Sequence, residues 1–536
     1  MVPDAPIDGK LPSVKPEDRS GDFTFSRGSN LAATRVNKDG LIEKGRENLL
    51  LQSNQFDTTW SAASASVTSG QSGYDGSSDA WLLNTASVGG YVIQSVAYSG
   101  VQTFSVYAKA GSYNFIRVQL NGSGADKRID VNLVDGSTGT AGAGNIIVST
   151  TSVGSGWWRI QLVSNTTSTA ARFFAIVADG DLSGSSGNIL IQDAQLEQGL
   201  VATEYIETTT ATVQKGILEN LPRLDYSGGA TCPSLLLEPQ RTNDFPYSEY
   251  FADEWSESDA ILTHNAASSP EGVQNATSLN ATALASNLRD NINVTGTYTL
   301  SVFVKSVDAA GIRLRVDAAT DANSYFNLSD GSLVTSGGTN VTADSIDYGN
   351  GWRRYYMTAD INNSQKIQFF ITDGDTGYGL GEIYIYGAQL EQGSYPTSYI
   401  PTYGTSQTRT HDVCKITGSS FTDVFSGNGT IYTNLENKTN TSSIGYWSRL
   451  SSSGVYNNMI KVEFSGSNQK LQVEMRTNNV TQFYYQSPLA SIGFHKVAVS
   501  YNNGDVVIYM DGVKLATYLG KTMPDLNEIY IGGYVD

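Results

Sequence analysis

The sequence predicts an all-β protein: three jelly-roll type β-sandwiches in tandem behind an extended N-terminal arm. Three observations predict it. One long stretch occurs twice in nearly gap-free alignment, apolar and polar residues alternate inside both copies and beyond them, and charged residues make up only 16% of the chain while tyrosines number 30. Such usage, with abundant Gly, Ser, Thr and Asn, favours short strands joined by turns, and the sequence contains no convincing amphipathic helix. At 536 residues the chain has room for about three or four domains of roughly 150 residues each.

The arm comes first. Residues 1–45 carry Pro3, Pro6, Pro12 and Pro16 with little hydrophobic periodicity, so they read as an extended attachment segment or a loose end. Part of it, ATRVNKDGLIE from Ala33 to Glu43, is echoed by ATVQKGILE from Ala211 to Glu219, which reads as a linker repeated with the domain.

The repeat occupies 46–210 and 241–410. Arg46, Asn48, Ser53, Phe56, Trp60 and Ser61 recur in the same spacing as Arg241, Asn243, Ser248, Phe251, Trp255 and Ser256. Both copies close with AQLEQG, at Ala194–Gly199 and Ala388–Gly393, followed by T-x-Y-I at Thr203–Ile206 and Thr397–Ile400. Phe104, Val106 and Ala108 alternate with Ser105, Tyr107 and Lys109, as Leu300, Val302 and Val304 do with Ser301, Phe303 and Lys305. That period of two is the mark of a half-buried strand. Asp135-Gly136 and Asp330-Gly331 mark matching turns, because both residue types tolerate positive φ. Between the copies, 211–240 contains LPRLDYSGGATCPSLLLEPQ, a strap along the module surface and not a Gly/Ser tether.

A third pattern fills 411–536. Ile460, Val462 and Phe464 alternate with polar residues, as do Leu471, Val473 and Met475, with a turn expected over Ser465–Asn468. FHKVAVSYNNGDVVIYMDGVKLATY, from Phe494 to Tyr518, adds longer strands around Asn502–Gly504 and Asp511-Gly512.

These motifs carry three resemblances. Phe494, His495, Val497, Ala498, Val499 and Tyr501, then Tyr509, Asp511 and Gly512, resemble the W-H-x-V-A-V-x-Y…Y-x-D-G signature of laminin-G-like, concanavalin-type jelly rolls, with Phe494 in place of Trp. Such domains carry one strand beyond Ile529–Gly533, so the resemblance implies an edge completed by another segment or subunit, or a chain that is a fragment. The two repeats resemble galactose-binding-like carbohydrate-binding modules in their N…F-x-x-x-W opening and final I-x-I-x-x-A-Q-L-E strand. The whole series of ATRVNKDGLIE, PRLDYSGGATCPSLLLEPQRTN, GAQLEQGSYPTSYIPT and TRTHDVC resembles the recurring text of tailed-bacteriophage fibre and head-spike proteins. What this implies is a virion appendage, a tail fibre or head fibre, that displays sugar-binding-type sandwiches for host attachment. Its partners would be other virion proteins and host cell-surface polysaccharide, and a homo-oligomer is expected, a trimer by family resemblance. A purely structural spacer and a bacterial surface glycan-binding protein are the alternatives.

Bulk chemistry narrows the partners. A net charge of −18 repels nucleic-acid phosphates and anionic membranes. Cys232 and Cys414 cannot build a disulfide framework or a zinc site. No basic-then-apolar signal and no run of about 18 apolar residues is present.

Nothing in the sequence has the pattern of a catalytic centre. His264, His411 and His495 lie in no triad or metal motif, His495 reading as a packed or hydrogen-bonded strand residue. Glu463 and Glu474 read as isolated, solvated carboxylates and do not form a glycosidase pair. The sequence therefore predicts a non-enzyme. For sugar stacking, Trp81 and Trp158 are candidates because the other copy has Thr277 and Arg353 there, and Trp447 with the Tyr484-Tyr485 dyad are candidates in the third domain. Trp60 and Trp255, shared between copies, are assigned to the core. Asp179 and Asp181, with Asp373 and Asp375, offer oxygen ligands for calcium, the one cofactor considered, although Asp-Gly turns capping backbone amides have the same pattern. The shared Arg46/Arg241 and Arg159/Arg354 are expected to anchor loops.

Overall fold

A computed structural model describes residues 23–28, 31–364, 366–424, 428–437, 446–452, 455–464, 470–491 and 493–532. Nearly all regular structure in it is antiparallel strand, and the one α-helix among the described residues is Gly418–Val424. Each repeat folds into two facing six-stranded sheets. In the first copy one sheet runs Thr138–Ala141, Lys127–Asn132, Phe115–Gly122, Ser168–Ile176, Tyr91–Tyr98, Ser61–Ala63; the other runs Ile147–Gly154, Trp157–Asn165, Val101–Ala110, Gly187–Gln198, Ala80–Thr85, Ala65–Gln71. The second copy repeats both orders strand for strand. The inward residues of the alternating strands meet in one core per module, around Phe104, Val106, Ile116 and Val118 in the first and Leu300, Val302, Ile312 and Leu314 in the second.

The central strands are not half-buried. Val101–Ala110 is covered on both faces over most of its length, because a second layer lies on the outer side of its sheet. In the first module this layer is the module's own loop, with Tyr74 stacked 3.9 Å above Tyr107. In the second it is the arm: the hairpin Thr34–Val36 with Ile42–Lys44 places Ile42 among Ala276, Phe303, Trp352 and Tyr386, and Ile42 N–H donates to the Pro270 carbonyl at 2.9 Å.

The described part of the arm thus packs against all three domains in the reverse of chain order. Thr24–Ser26 pairs with Val413–Thr417 at the edge of a seven-stranded sheet, where Phe23 and Phe25 enter the third core. The hairpin then crosses the second module, and Arg46–Asn48 enters the first. The sheet edge beside Val413–Thr417 is therefore completed from within the chain, and Glu528–Ile531 lies in the interior of that sheet. Residues 1–22, the Ser465–Asn468 turn and residues 533–536 lie outside the described residues. The linker echo does not produce equal structures: Thr34–Val36 forms a hairpin, whereas Val213–Lys215 pairs with Arg46–Asn48 as Gln407–Arg409 pairs with Arg241–Asn243. The strap continues as the hairpin Arg223–Asp225 with Ser234–Leu236, and Leu235 and Leu237 pack on the third core.

Two buried charge networks hold these segments. Arg223, fully inaccessible, binds Glu238 at 2.9 Å, Asp412, the Thr34 carbonyl at 2.9 Å and Ser398 Oγ at 2.8 Å. Arg409 reaches Glu238 at 3.0 Å and Arg27 reaches Asp412 at 3.1 Å. Burial opposes the Glu238 charge, but Arg409 and Arg223 outweigh it and hold its carboxyl well below the usual range. In the second network Lys44 Nζ lies 2.6 Å from Glu249 and 2.8 Å from Glu271, with the Tyr386 and Tyr403 hydroxyls at 3.2 and 3.0 Å. Removing one member of a buried ion network leaves an uncompensated charge, at a cost of about 3–5 kcal/mol. Arg223→Met is therefore expected to lose about 3–5 kcal/mol in urea unfolding, and a loss under about 1 kcal/mol would show that the strap is not held this way.

Candidate functional site

The predicted stacking residues separate by the geometry of their strands. Trp81 is 6% exposed in the first core, edge-on to Phe56 at 6.1 Å, and its Nε1–H donates to the Asn54 carbonyl at 2.9 Å. Trp158 packs against the same core, donates to the Leu133 carbonyl at 3.1 Å, and lies so close over Gly136 that a Cβ there would come within 2.3 Å of its ring. Neither is a free platform. Trp60 and Trp255 are core residues whose indole N–H groups bond the Gln52 and Tyr247 carbonyls. The Tyr484-Tyr485 dyad divides, since neighbours along a strand point to opposite faces: Tyr485 packs on the third core and Tyr484 is 48% exposed. The Trp447 side chain lies outside the described residues.

The Asp-Gly-Asp turns use their carboxylates locally. Asp179 accepts from Thr140 N–H at 2.6 Å and Asp181 from Ser183 N–H at 2.8 Å. Asp373 accepts from the amides of Asp375 and Gly377 at 3.0 and 3.2 Å. Among the described residues no group of three or more His, Cys, Asp or Glu side chains could hold a metal ion, so these turns do not gather a calcium ligand set. The shared arginines anchor loops: Arg159 and Arg354 donate to the equivalent Thr203 and Thr397 carbonyls, and Arg46 and Arg241 pair with Glu271 and Glu391.

In the third domain Glu463 and Glu474 are ion-paired, to Lys461 at 2.9 Å and Arg476 at 2.6 Å, and Glu474 is buried instead of solvated. His495 bonds Asp511 through Nδ1 at 2.7 Å and the Ser491 carbonyl through Nε2 at 2.8 Å, with Ser491 Oγ at 3.3 Å. A carboxylate and a carbonyl both require donors, so the imidazolium satisfies both and has no lone pair left to take a hydroxyl proton. Burial disfavours that charge, but the Asp511 and Ser491 bonds outweigh it and raise the pKa.

What the third domain does present is a solvent-facing sheet. In the register of Asn428–Asn437, Gly493–Asn502 and Asp505–Met510, Tyr432 lies opposite Ala498 and Ala498 opposite Tyr509. Tyr432 is 47% and Tyr509 37% exposed, and with strands about 4.8 Å apart the two backbones stand roughly 10 Å apart across the small Ala498. Asn434, Lys496 and Lys514 are exposed on the same face. Two tyrosines flanking a shallow floor, with polar groups alongside, can hold the apolar face of a sugar ring. The strand parity that buries Val497, Val499 and Ile508 was the available signal for this pair.

No family model matches the chain, and no curated protein matches it. Among solved structures it is similar to mouse laminin alpha1 chain domains LG4-5, at 11% identity and a TM-score of 0.17, over 55% of this chain and 85% of that one. That similarity is too low to carry an argument. No helix among the described residues is long and apolar enough to cross a membrane.

Two predictions follow from the burial of these groups. Trp81→Ala should destabilise the protein by about 3–5 kcal/mol through loss of core volume, read by urea unfolding; an unchanged midpoint would return Trp81 to the surface. The second concerns pH. Burial pushes Asp193 and Asp290 up to about 7, so the folded state keeps protons that an unfolded carboxyl releases near about 3.9, and stability falls as pH rises from about 4 to 7 and then levels off. The raised His495 acts in the same direction: its contribution is full below about 6.5 and is lost as pH climbs through the folded value. Melting temperature should therefore decline between about pH 4 and pH 7 through the two carboxyls, and above about pH 6.5 through His495. Asp193→Asn with Asp290→Asn should flatten the decline for the modules and His495→Gln for the third domain; equal slopes in calorimetry of all variants would refute the assignment.

Proposed function

We propose that the chain is a non-enzymatic appendage protein of a tailed-bacteriophage virion that attaches to host surface polysaccharide, with the Tyr432–Ala498–Tyr509 face as the contact. The single observation carrying this reading is that face, whose exposed tyrosines flank a small residue, whereas the predicted Trp81 and Trp158 are packed into the first module. Its weak single contacts gain by multivalency, so the protein acts as an oligomer on the particle, a trimer by resemblance to fibres. The modules serve as a rigid stalk. The buried arm networks favour a second reading, in which all three sandwiches are structural spacers.

The test is retention of the intact protein on host envelope polysaccharide, beside an inert control protein and with and without a chelator. Wild type should be retained in both buffers, and Tyr432→Ala with Tyr509→Ala should lose at least tenfold in retention at an unchanged melting temperature. Failure of wild type to bind at multivalent density favours the spacer; retention by the double variant moves the contact elsewhere.

A further inference from the structure

The joint between the two modules encloses a cleft of about 370 Å³. Its walls are fixed. Val101 N–H donates to the Tyr403 carbonyl at 2.7 Å, Asn165 Nδ2 donates to Tyr247 OH at 2.8 Å, and Asn265 Nδ2 donates to the Leu200 carbonyl at 2.7 Å. Val101, Val163 and Leu200 pack there against Tyr247, Tyr250 and Tyr403. The backbones touch at Gly100, where a Cβ would lie 1.9 Å from the Tyr403 carbonyl oxygen, so only glycine permits the approach.

The lining is unusual for a chain of net charge −18: among the described residues no charged side chain contributes to it. Tyr98, Asn165, Gln198, Tyr247, Tyr403 and Gln407 supply amides and aromatic rings. The Tyr98 hydroxyl and the Gln198 carboxamide make no hydrogen bond among the described residues. A second observation comes from the repeat itself. Thr402, which also lines the cleft, is only 2% exposed, and its hydroxyl, itself closed off from solvent, has no hydrogen-bond partner among the described residues. The equivalent Thr208 of the first module donates to the Leu50 carbonyl at 2.6 Å. A buried hydroxyl is ordinarily satisfied, so this threonine differs from its first-module equivalent where its chain lines the cleft, a space with the volume of a small-molecule site.

We propose that this cleft is a binding site for an uncharged sugar of one or two rings, separate from the tyrosine face. Donors and acceptors without net charge suit a polyhydroxylated ligand, the tyrosine rings suit its apolar face, and a charged ligand would be desolvated there without a counter-charge.

The test is saturation-transfer NMR on the full chain with D-glucose, D-galactose, L-rhamnose and N-acetyl-D-glucosamine, beside D-glucuronate and D-glucosamine. At least one neutral sugar should receive saturation and neither charged sugar should. Tyr98→Phe and Gln198→Ala should each cut the transfer at least fivefold, and Tyr98→Phe should melt with wild type because the Tyr98 hydroxyl bonds nothing among the described residues. Tyr432→Ala with Tyr509→Ala should leave the transfer unchanged. No transfer to any neutral sugar, preference for a charged one, or full transfer in both cleft variants would each overturn the proposal. Transfer abolished only by the tyrosine variants would overturn the cleft while supporting the sheet face.

Discussion

The arrangement of the three domains depends on burying the Arg223 guanidinium between Glu238 and Asp412. Such a charge is tolerated away from water only if every partner is present at once. Those partners come from the strap, from the arm by way of the Thr34 carbonyl, from the second module through Ser398, and from the segment entering the third domain through Asp412. No one of these segments can leave without taking a partner from a buried charge, so the network sets domain positions where a flexible linker would set only distances. Apolar packing alone would be more tolerant of sliding, since it is non-directional. The cleft and the tyrosine face inherit a fixed spacing from that constraint.

Lys44 does the same for the second module, and comparison with the first copy shows how the duplicated fold accommodated it. Glu249, Glu271 and Tyr386 surround Lys44; the aligned residues of the first copy are Asn54, Asp75 and Gln192. In place of an incoming lysine the first module closes with Tyr74, whose hydroxyl donates to Asp193 at 2.9 Å. Asp193 has φ of 53°, where the second copy has Gly387. One copy thus takes its outer layer from the arm and the other from its own loop, and the buried acid without a cation is the one whose pKa rises.

The repeated text was the most legible part of the chain because its contacts are internal to each copy. Asn48 binds the Ala194 and Ile206 carbonyls and accepts from Leu50 and Leu196, and Asn243 does the same at Ala388, Ile400, Phe245 and Leu390. Glu197 and Glu391 accept from Thr203 and Thr397, and Gln195 and Gln389 from the Ile206 and Ile400 amides. AQLEQG and T-x-Y-I are therefore halves of a latch that closes each sandwich. The arm was not legible, because its partners lie far away in sequence: 385 residues separate Arg27 from Asp412. Short segments with few apolar residues give no periodic signal to show where they dock. The tyrosine face was legible only as parity, and the cleft not at all, since it is assembled from two modules.

Difference between the copies proved a poor guide to exposure, for a physical reason. Trp81 and Trp158 stood out because Thr277 and Arg353 replace them, yet Thr277 is as inaccessible as Trp81 and bonds His264 at 3.1 Å. Packed interiors tolerate changes of residue when the neighbours change with them, so divergence marks a position that was repacked as readily as one that was freed. Thr208 and Thr402 behave in the opposite way: the residue is identical, but one hydroxyl is satisfied inside its module and the other, in a residue that lines the inter-module cleft, has no partner among the described residues. In a duplicated fold the informative contrast is the same residue with a different set of partners, because there the side chain is constant and only its surroundings can account for the bond it lacks.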